Sequence, residues 1–336
     1  MRQLRLKIAV EKLRLSAPFR ISGFVFEEQE VVVVTLDDGL HSGRGEASGV
    51  YYLNETAPGM IAMIESARGA IEAGIDRAAL QGLLPPGGAR NAVDCALWEL
   101  DAQRLRMPVW KLADLPPPKP LITTFTLGAE DPAVMAAGAI KYAQARSLKL
   151  KLTGDLDLDT ARVKAVRAAR PEVWMGVDAN QGYTIDGLEP LVRVLGTSNI
   201  SLLEQPLKRG HEADLAAFSS PIPIAADESA LSLVDLPGLV GRFDVINIKL
   251  DKCGGLTEGL AMAHEARRLG FKVMVGNMVG SSLAMAPAFV LGQLCDVVDL
   301  DGPIFLAKDR TPGITYANGA AWSGDNVWGA THAVSA

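Results

Sequence analysis

The sequence predicts an α/β fold, a (β/α)8 (TIM-type) barrel with an N-terminal α+β capping domain, on three observations. Short β-rich segments begin near Leu121, Ser147, Trp174, Ser201, Pro223, Asp244, Lys272 and Asp296, spaced 21 to 28 residues apart. Helical stretches such as Asp159–Arg170 and Thr257–Leu269 fill the gaps, and eight β-α units at that period are what a barrel needs. The cluster Pro116–Pro120 then separates this half from a first half of different pattern. An open doubly wound sheet competes with this assignment. It wants a glycine-rich phosphate turn after its first strand, and Thr126-Leu-Gly-Ala-Glu-Asp-Pro is not one.

Taken in order, the first thirty-five residues read as two strands, the second carrying Glu30-Val-Val-Val-Val-Thr35. The Asp37-Asp38-Gly39 turn leads toward a short strand near Gly43–Glu46, and helical patterns follow at about Glu55–Ala73 and Ala89–Arg104. A chain of 336 residues suits two domains at roughly 150 each. The expected division is a cap over 1–118, a catalytic barrel over 119–310, and a segment over 311–336 that packs back on the cap.

Composition excludes several classes. Lys plus Arg is 33 against 39 Asp plus Glu, a net charge of −6, so no basic excess exists for phosphate contacts and no nucleic-acid partner is expected. The uncharged run Val273–Cys295 is long enough to span a membrane, but its three glycines, Asn277, Pro287 and Gln293 read as strand, turn and buried helix. Cys95, Cys253 and Cys295 are widely spaced without a Cys-x-x-Cys, which fits a reducing cytoplasm and packing roles. The N-terminus carries no signal-type apolar core.

A barrel places its chemistry at the C-terminal ends of its strands. The second strand, Leu148-Lys-Leu-Lys-Leu152, puts Lys149 and Lys151 on one face. A surface strand with solvated lysines explains that pair when it stands alone. The next three strands, however, finish in Asp178, Glu204 and Asp227, each after an apolar run. One such acid is a common helix N-cap; three in series facing two lysines suit a hard divalent cation that takes oxygen ligands. Glu228 follows Asp227 and is expected to point away, in a structural role. On the sixth strand alternation turns Asn247 and Lys249 inward, across the mouth from Lys151, and leaves Lys252 to a loop. Asp299 and Asp301 share a face of the eighth segment, as ammonium ligands or as loop acids.

These residues together resemble the enolase superfamily in its muconate-lactonising subgroup, and more closely its dipeptide epimerases of the L-Ala-D/L-Glu type. The resemblance rests on Lys149-Leu-Lys151, Val177-Asp-Ala-Asn180, Glu204-Gln-Pro206, Ala226-Asp-Glu-Ser229, Ile248-Lys-Leu-Asp-Lys-Cys-Gly-Gly255, Asp299-Leu-Asp-Gly-Pro303 and, in the cap, Ala89–Trp98. It implies one Mg²⁺ per subunit on Asp178, Glu204 and Asp227, with Lys151 and Lys249 as acid/base pair. Lys149 is implied to help neutralise the substrate carboxylate, and Asp299 and Asp301 to receive a dipeptide's ammonium group. The implied chemistry inverts the α-carbon of the C-terminal residue through an enediolate, by default in L-Ala-L-Glu, in a homo-oligomer. For either lysine to act as a base, its pKa has to be depressed.

The match thins at the cap loop Pro18-Phe-Arg20-Ile-Ser-Gly-Phe24-Val-Phe26, where the resemblance leads one to expect an arginine near Gly23 and Phe24. Arg20 is expected to replace it or to be a surface strand residue, and Thr126 is counted among the substrate contacts. An N-acylamino acid (N-acyl-glutamate) racemase, a muconate cycloisomerase or an o-succinylbenzoate synthase uses the same lysines and metal, and a non-catalytic binding protein is the alternative of another class.

Overall fold

A computed structural model of the chain describes residues 3–21 and 23–330. Its first third is an antiparallel meander of β1 (Arg5–Ile21), β2 (Phe24–Asp37) and β3 (Ser42–Ser48), backed by α1 (Ala57–Ser66), α2 (Arg68–Glu72), α3 (Arg77–Leu83) and α4 (Gly88–Leu105). The valine run of β2 is buried on both faces because its alternation serves two cores. Val32, Val34 and Leu36 enter the core of the cap, while Val31 and Val33 join the larger one. Helix α4 divides in the same way, with Ala92, Ala96 and Leu100 on one side and Cys95, Trp98 and Ala102 on the other. It lies so close to β3 that a Cβ at Gly43 or Gly45 would sit 2.1 Å from the Ala96 or Ala92 carbonyl oxygen.

The stretch read as one helix over 55–73 breaks at Ala67, whose N–H bonds back to Ile64, and α3 is an element the pattern did not announce. Asp76 starts it, accepting from the Ala79 amide at 2.7 Å.

Beyond Pro116–Pro120, a two-residue strand β4 (Leu121–Ile122) precedes eight parallel strands: β5 (Phe125–Leu127), β6 (Ser147–Lys151), β7 (Trp174–Asp178), β8 (Leu202–Glu204), β9 (Ile224–Ala226), β10 (Val245–Ile248), β11 (Lys272–Val275) and β12 (Val297–Val298). They hydrogen-bond in chain order into one sheet, interleaved with helices such as Leu156–Ala169 and Leu256–Arg268. The sheet curls until the Thr124 amide, just before β5, donates to the Val298 carbonyl of β12 at 3.0 Å. The β-segment expected to open this series at Leu121 is instead β4, which pairs outside it. The opening strand starts at Phe125 because Thr123 and Thr124 turn the chain, their amides going to Gly319 and Val298.

Val273–Cys295 resolves into most of β11, a loop and the helix Ser282–Gly292, and no helix among the described residues is long and apolar enough to cross a membrane. The tail forms the hairpin β13 (Thr315–Ala317) and β14 (Ala320–Trp322) against β4. Trp328 Nε1 then donates to the Arg44 carbonyl at 2.9 Å; residues 331–336 of the expected packing segment lie outside the described residues.

Arg90 of α4 ties the two halves together. Its guanidinium, 2% exposed as a residue, donates to the carbonyls of Cys253 and Gly254 and pairs with Glu258. Arg90→Ala leaves those acceptors and Glu258 uncompensated, so unfolding free energy falls by about 3–5 kcal/mol. Urea unfolding at unchanged m-value checks this; a loss under about 1 kcal/mol contradicts a clamping role.

Candidate active site

The period of two that buries alternate residues of the sheet also builds the site. Leu202, Ala225, Val245 and Met274 form a small core on one face. Two residues further along the same face come Glu204, Asp227 and Asn247, and Asp178 stands beside Glu204 in register on β7. Asp178, Glu204 and Asp227 are 0%, 1% and 1% exposed, and each offers an oxygen within 4.8 Å of the others. Three buried carboxylates at that spacing repel one another and require positive charge.

Four lysines supply it. Lys151 Nζ lies 2.6 Å from Asp178 Oδ2, and Lys249 Nζ lies 2.6 Å from Asp227 Oδ2. Lys149 Nζ bridges Glu204 at 2.7 Å, Asp299 at 2.8 Å and Asp178 at 3.3 Å. The Glu204 oxygen it meets lacks the alignment of a hydrogen bond, so that acceptor remains open to another ligand. The fourth lysine corrects the sequence reading. Lys252 is not in a loop but in a one-turn helix, Leu250–Cys253, that returns it to the site, where Nζ meets Asp227 Oδ1 at 2.6 Å and the Asn247 carbonyl at 3.0 Å.

The electrostatics follow from burial against these pairs. Burial raises the Glu204 carboxyl, and the neighbouring Asp178 adds to this against the pull of Lys149, leaving it at about 7. Burial also acts on Asp178 and Asp227, but the lysines outweigh it and hold both below the usual carboxylate range. The same carboxylates act in turn on Lys249. Burial pulls its ammonium down, but Asp227, then Glu204 and Asp178, outweigh it and hold it above its ordinary value. Glu228 is buried beside Asp227 with Oε2 unpartnered, and burial followed by Asp227 pushes its carboxyl up to about 8.

A pocket opens over the carboxylates, and both domains line it. The strands and the residues just past their ends contribute Thr126, Lys149, Lys151, Asn180, Lys249, Asp299 and Asp301, with Asn277–Val279 and Phe305 from the segments that follow. The first third contributes Phe19, Ile21, Phe26, Gln29, Gly49 and Tyr51, and no cation. Asp299 also accepts from the Thr124 hydroxyl, and Asp301 accepts from the Thr126 amide at 2.6 Å. Burial, and then Asp299, raises the Asp301 carboxyl to about 7. The residues expected at the site therefore meet there with one exception. Arg20 lies between Phe19 and Ile21, so alternation turns it away, and it pairs with Glu130 at 3.0 Å on the outer side.

Comparison with known proteins bears on this geometry. Residues 133–302 match the enolase C-terminal domain-like family, and residues 4–113 match the mandelate racemase / muconate lactonizing enzyme N-terminal domain. The chain belongs to the enolase superfamily. Within it, the chain is 39% identical to the L-Ala-D/L-Glu epimerase of Escherichia coli strain K12, over 93% of this chain and 98% of that one. It is 42% identical to the N-acetyl-D-glutamate racemase of a Pseudoalteromonas species, over 74% and 78%. A superfamily member from Agrobacterium tumefaciens with homology to dipeptide epimerases, solved with sodium, L-Ala-L-Glu and an ordered loop, superposes with a TM-score of 0.94 at 42% identity, covering 97% and 100%.

The carboxyl of Glu204 makes cation binding by this superfamily member pH-dependent with a definite sign. A proton on Glu204 competes with the cation, so affinity is full above about 7 and is lost as pH falls through it, by about tenfold per unit. Titration calorimetry of Mg²⁺ from pH 8 to pH 5 checks this, and a flat affinity across that range contradicts it.

Proposed function

We propose that this chain is a Mg²⁺-dependent dipeptide epimerase that inverts the α-carbon of the C-terminal residue, with L-Ala-L-Glu and L-Ala-D-Glu as its pair. One observation carries the proposal: the Asp178, Glu204 and Asp227 oxygens cluster between two lysines placed on well-separated strands, β6 and the end of β10. The curled sheet is then a (β/α)8-type barrel, with a cap over 1–118 and catalytic strands over 119–310. Three free cysteines suit a cytoplasmic enzyme.

The donor set fits the ion. Three carboxylates are hard oxygen ligands, and Mg²⁺ held by them keeps positions for a substrate oxygen. Once bound, the ion supplies Lewis-acid stabilisation of the negative charge that develops on the substrate's carboxylate, the role such ions play in this superfamily.

The chain's own residues do the rest. Lys151 on β6 and Lys249 at the end of β10, four strands apart in the sheet, both line the pocket, and a cation on Asp227 would displace the charge that holds the Lys249 ammonium, so one Nζ takes the α-proton and the other returns a proton on the far face. The configuration inverts because the α-proton leaves to the neutral amine of one lysine and a proton arrives from the ammonium of the other, on the opposite face. Asp299 and Asp301 lie beyond Lys149 and receive the ammonium end of a dipeptide, whose charge they match. Phe19, Ile21, Phe26 and Tyr51 cover the pocket and exclude water, while Gln29 supplies an uncharged polar contact for the C-terminal side chain.

Racemisation of an N-acyl-glutamate is the second reading, favoured by the N-acetyl-D-glutamate racemase relative and by Asp299, whose charge Lys149 already engages. A substrate without an ammonium places less demand on the acid pair.

Incubation in D₂O with Mg²⁺ separates these readings. Wild type deuterates the α-carbon of L-Ala-L-Glu and L-Ala-D-Glu and equilibrates them faster than N-acetyl-glutamate. Lys151→Ala and Lys249→Ala each lose about 10²–10⁴-fold in epimerisation and each keep exchange from one epimer only. Exchange from both epimers in either variant contradicts the two-base assignment, and a preference for N-acetyl-glutamate selects the second reading.

A further inference from the structure

The turn that follows Lys249 is too short to hold itself. Leu250–Cys253 is a single helical turn capped by Lys249, whose carbonyl accepts from the Lys252 and Cys253 amides at 3.0 and 3.1 Å. One turn is unstable without tertiary support, so something outside it fixes where Lys249 points. Three anchors serve it. Two are Lys252 on Asp227 and Arg90 on the Cys253 carbonyl. The third is Asp251, buried at 5% exposure, whose Oδ1 alone accepts both the Ser48 amide at 2.9 Å and Asn91 Nδ2 at 3.0 Å.

Both of those donors come from the first third of the chain. Ser48 ends β3, and its hydroxyl also bonds to the Val279 carbonyl at 2.6 Å. The residues just beyond it, Gly49 and Tyr51, line the pocket, as does Val279. A path of two contacts therefore runs from the pocket's cover through Ser48 to Asp251, two residues from Lys249.

Accepting the epimerase reading, we infer that Asp251 is a positioning residue for Lys249, joining the cover over the substrate to one of the two reacting lysines. It touches no substrate. It sets the height and direction of the turn on which Lys249 begins, and Lys151, on β6, does not depend on it. Loss of the anchor therefore impairs one face of the substrate and spares the other, which a merely structural defect would not do.

The test measures initial α-deuterium incorporation from each epimer separately, in wild type, Lys249→Ala, Asp251→Ala and Asp251→Asn. The epimer whose exchange Lys249→Ala abolishes is the one Lys249 serves. In Asp251→Ala, exchange from that epimer falls about 10- to 100-fold, a cost typical of misplacing a reacting group by about an ångström, while the other changes less than about twofold. Asp251→Asn keeps one oxygen able to accept both bonds and restores the rate. Equal losses on both faces, or no rescue by asparagine, overturn the inference.

Hydrogen–deuterium exchange without substrate reports on the same anchor if Asp251→Ala is too impaired to assay. Amides of 249–253 exchange faster in Asp251→Ala and not in Asp251→Asn; unchanged protection in both overturns the positioning role. Should wild type exchange neither epimer, the epimerase reading fails, and amide exchange alone decides the anchor.

Discussion

Three carboxylates buried within reach of one another are the constraint on which the rest of this molecule depends. Asp178, Glu204 and Asp227 repel one another in a medium that screens charge poorly, and the fold tolerates them only because Lys149, Lys151, Lys249 and Lys252 converge on the same point. Burial, and then Asp178, still leave the Glu204 carboxyl at about 7, so of the three carboxylates it is the one for which a cation competes with a proton. The site is thus held in tension by the same repulsion that makes it useful.

That tension explains why the structure has two parts. A curled parallel sheet aims every second residue at one point, which collects charges from separate strands, but it leaves the point open. The first third of the chain closes it. The β1–β2 hairpin meets the segment that follows β12, where Leu15 bridges Leu306 and Phe19 packs on Phe305 with ring centroids 4.6 Å apart. Arg90 and Asp251, both buried, connect the halves beneath this cover, so the lid and the reacting strands form one continuous hydrogen-bonded body.

Much of the site was legible because alternation is a local rule. Lys149 with Lys151, and the carboxylate closing each of β7 and β8, sit where a period of two places them. The same rule does not reach past every strand end. Lys252 lies past the end of β10, and only a helical turn, which the strand pattern does not foretell, rotates it back to Asp227. Arg20 was weighed as a cation for the pocket, yet one residue of alternation sends it to Glu130 outside. The pairing of Ser48 and Asn91 with Asp251 left no local signal, because it joins residues more than 150 positions apart. Leu121 read as a sheet strand on composition alone; its partner is the tail hairpin, which no local pattern reveals.

The central claim is geometric: one cation on three carboxylates, and one carbon between two lysines. A crystal structure with Mg²⁺ and L-Ala-L-Glu bound measures it directly. The account expects the ion about 2.0–2.1 Å from an oxygen of each of Asp178, Glu204 and Asp227 and from the substrate's carboxylate. It expects the glutamate α-carbon to lie between the Nζ atoms of Lys151 and Lys249, one on each face. An ion bound elsewhere, or an α-carbon with both lysines on the same face, contradicts it.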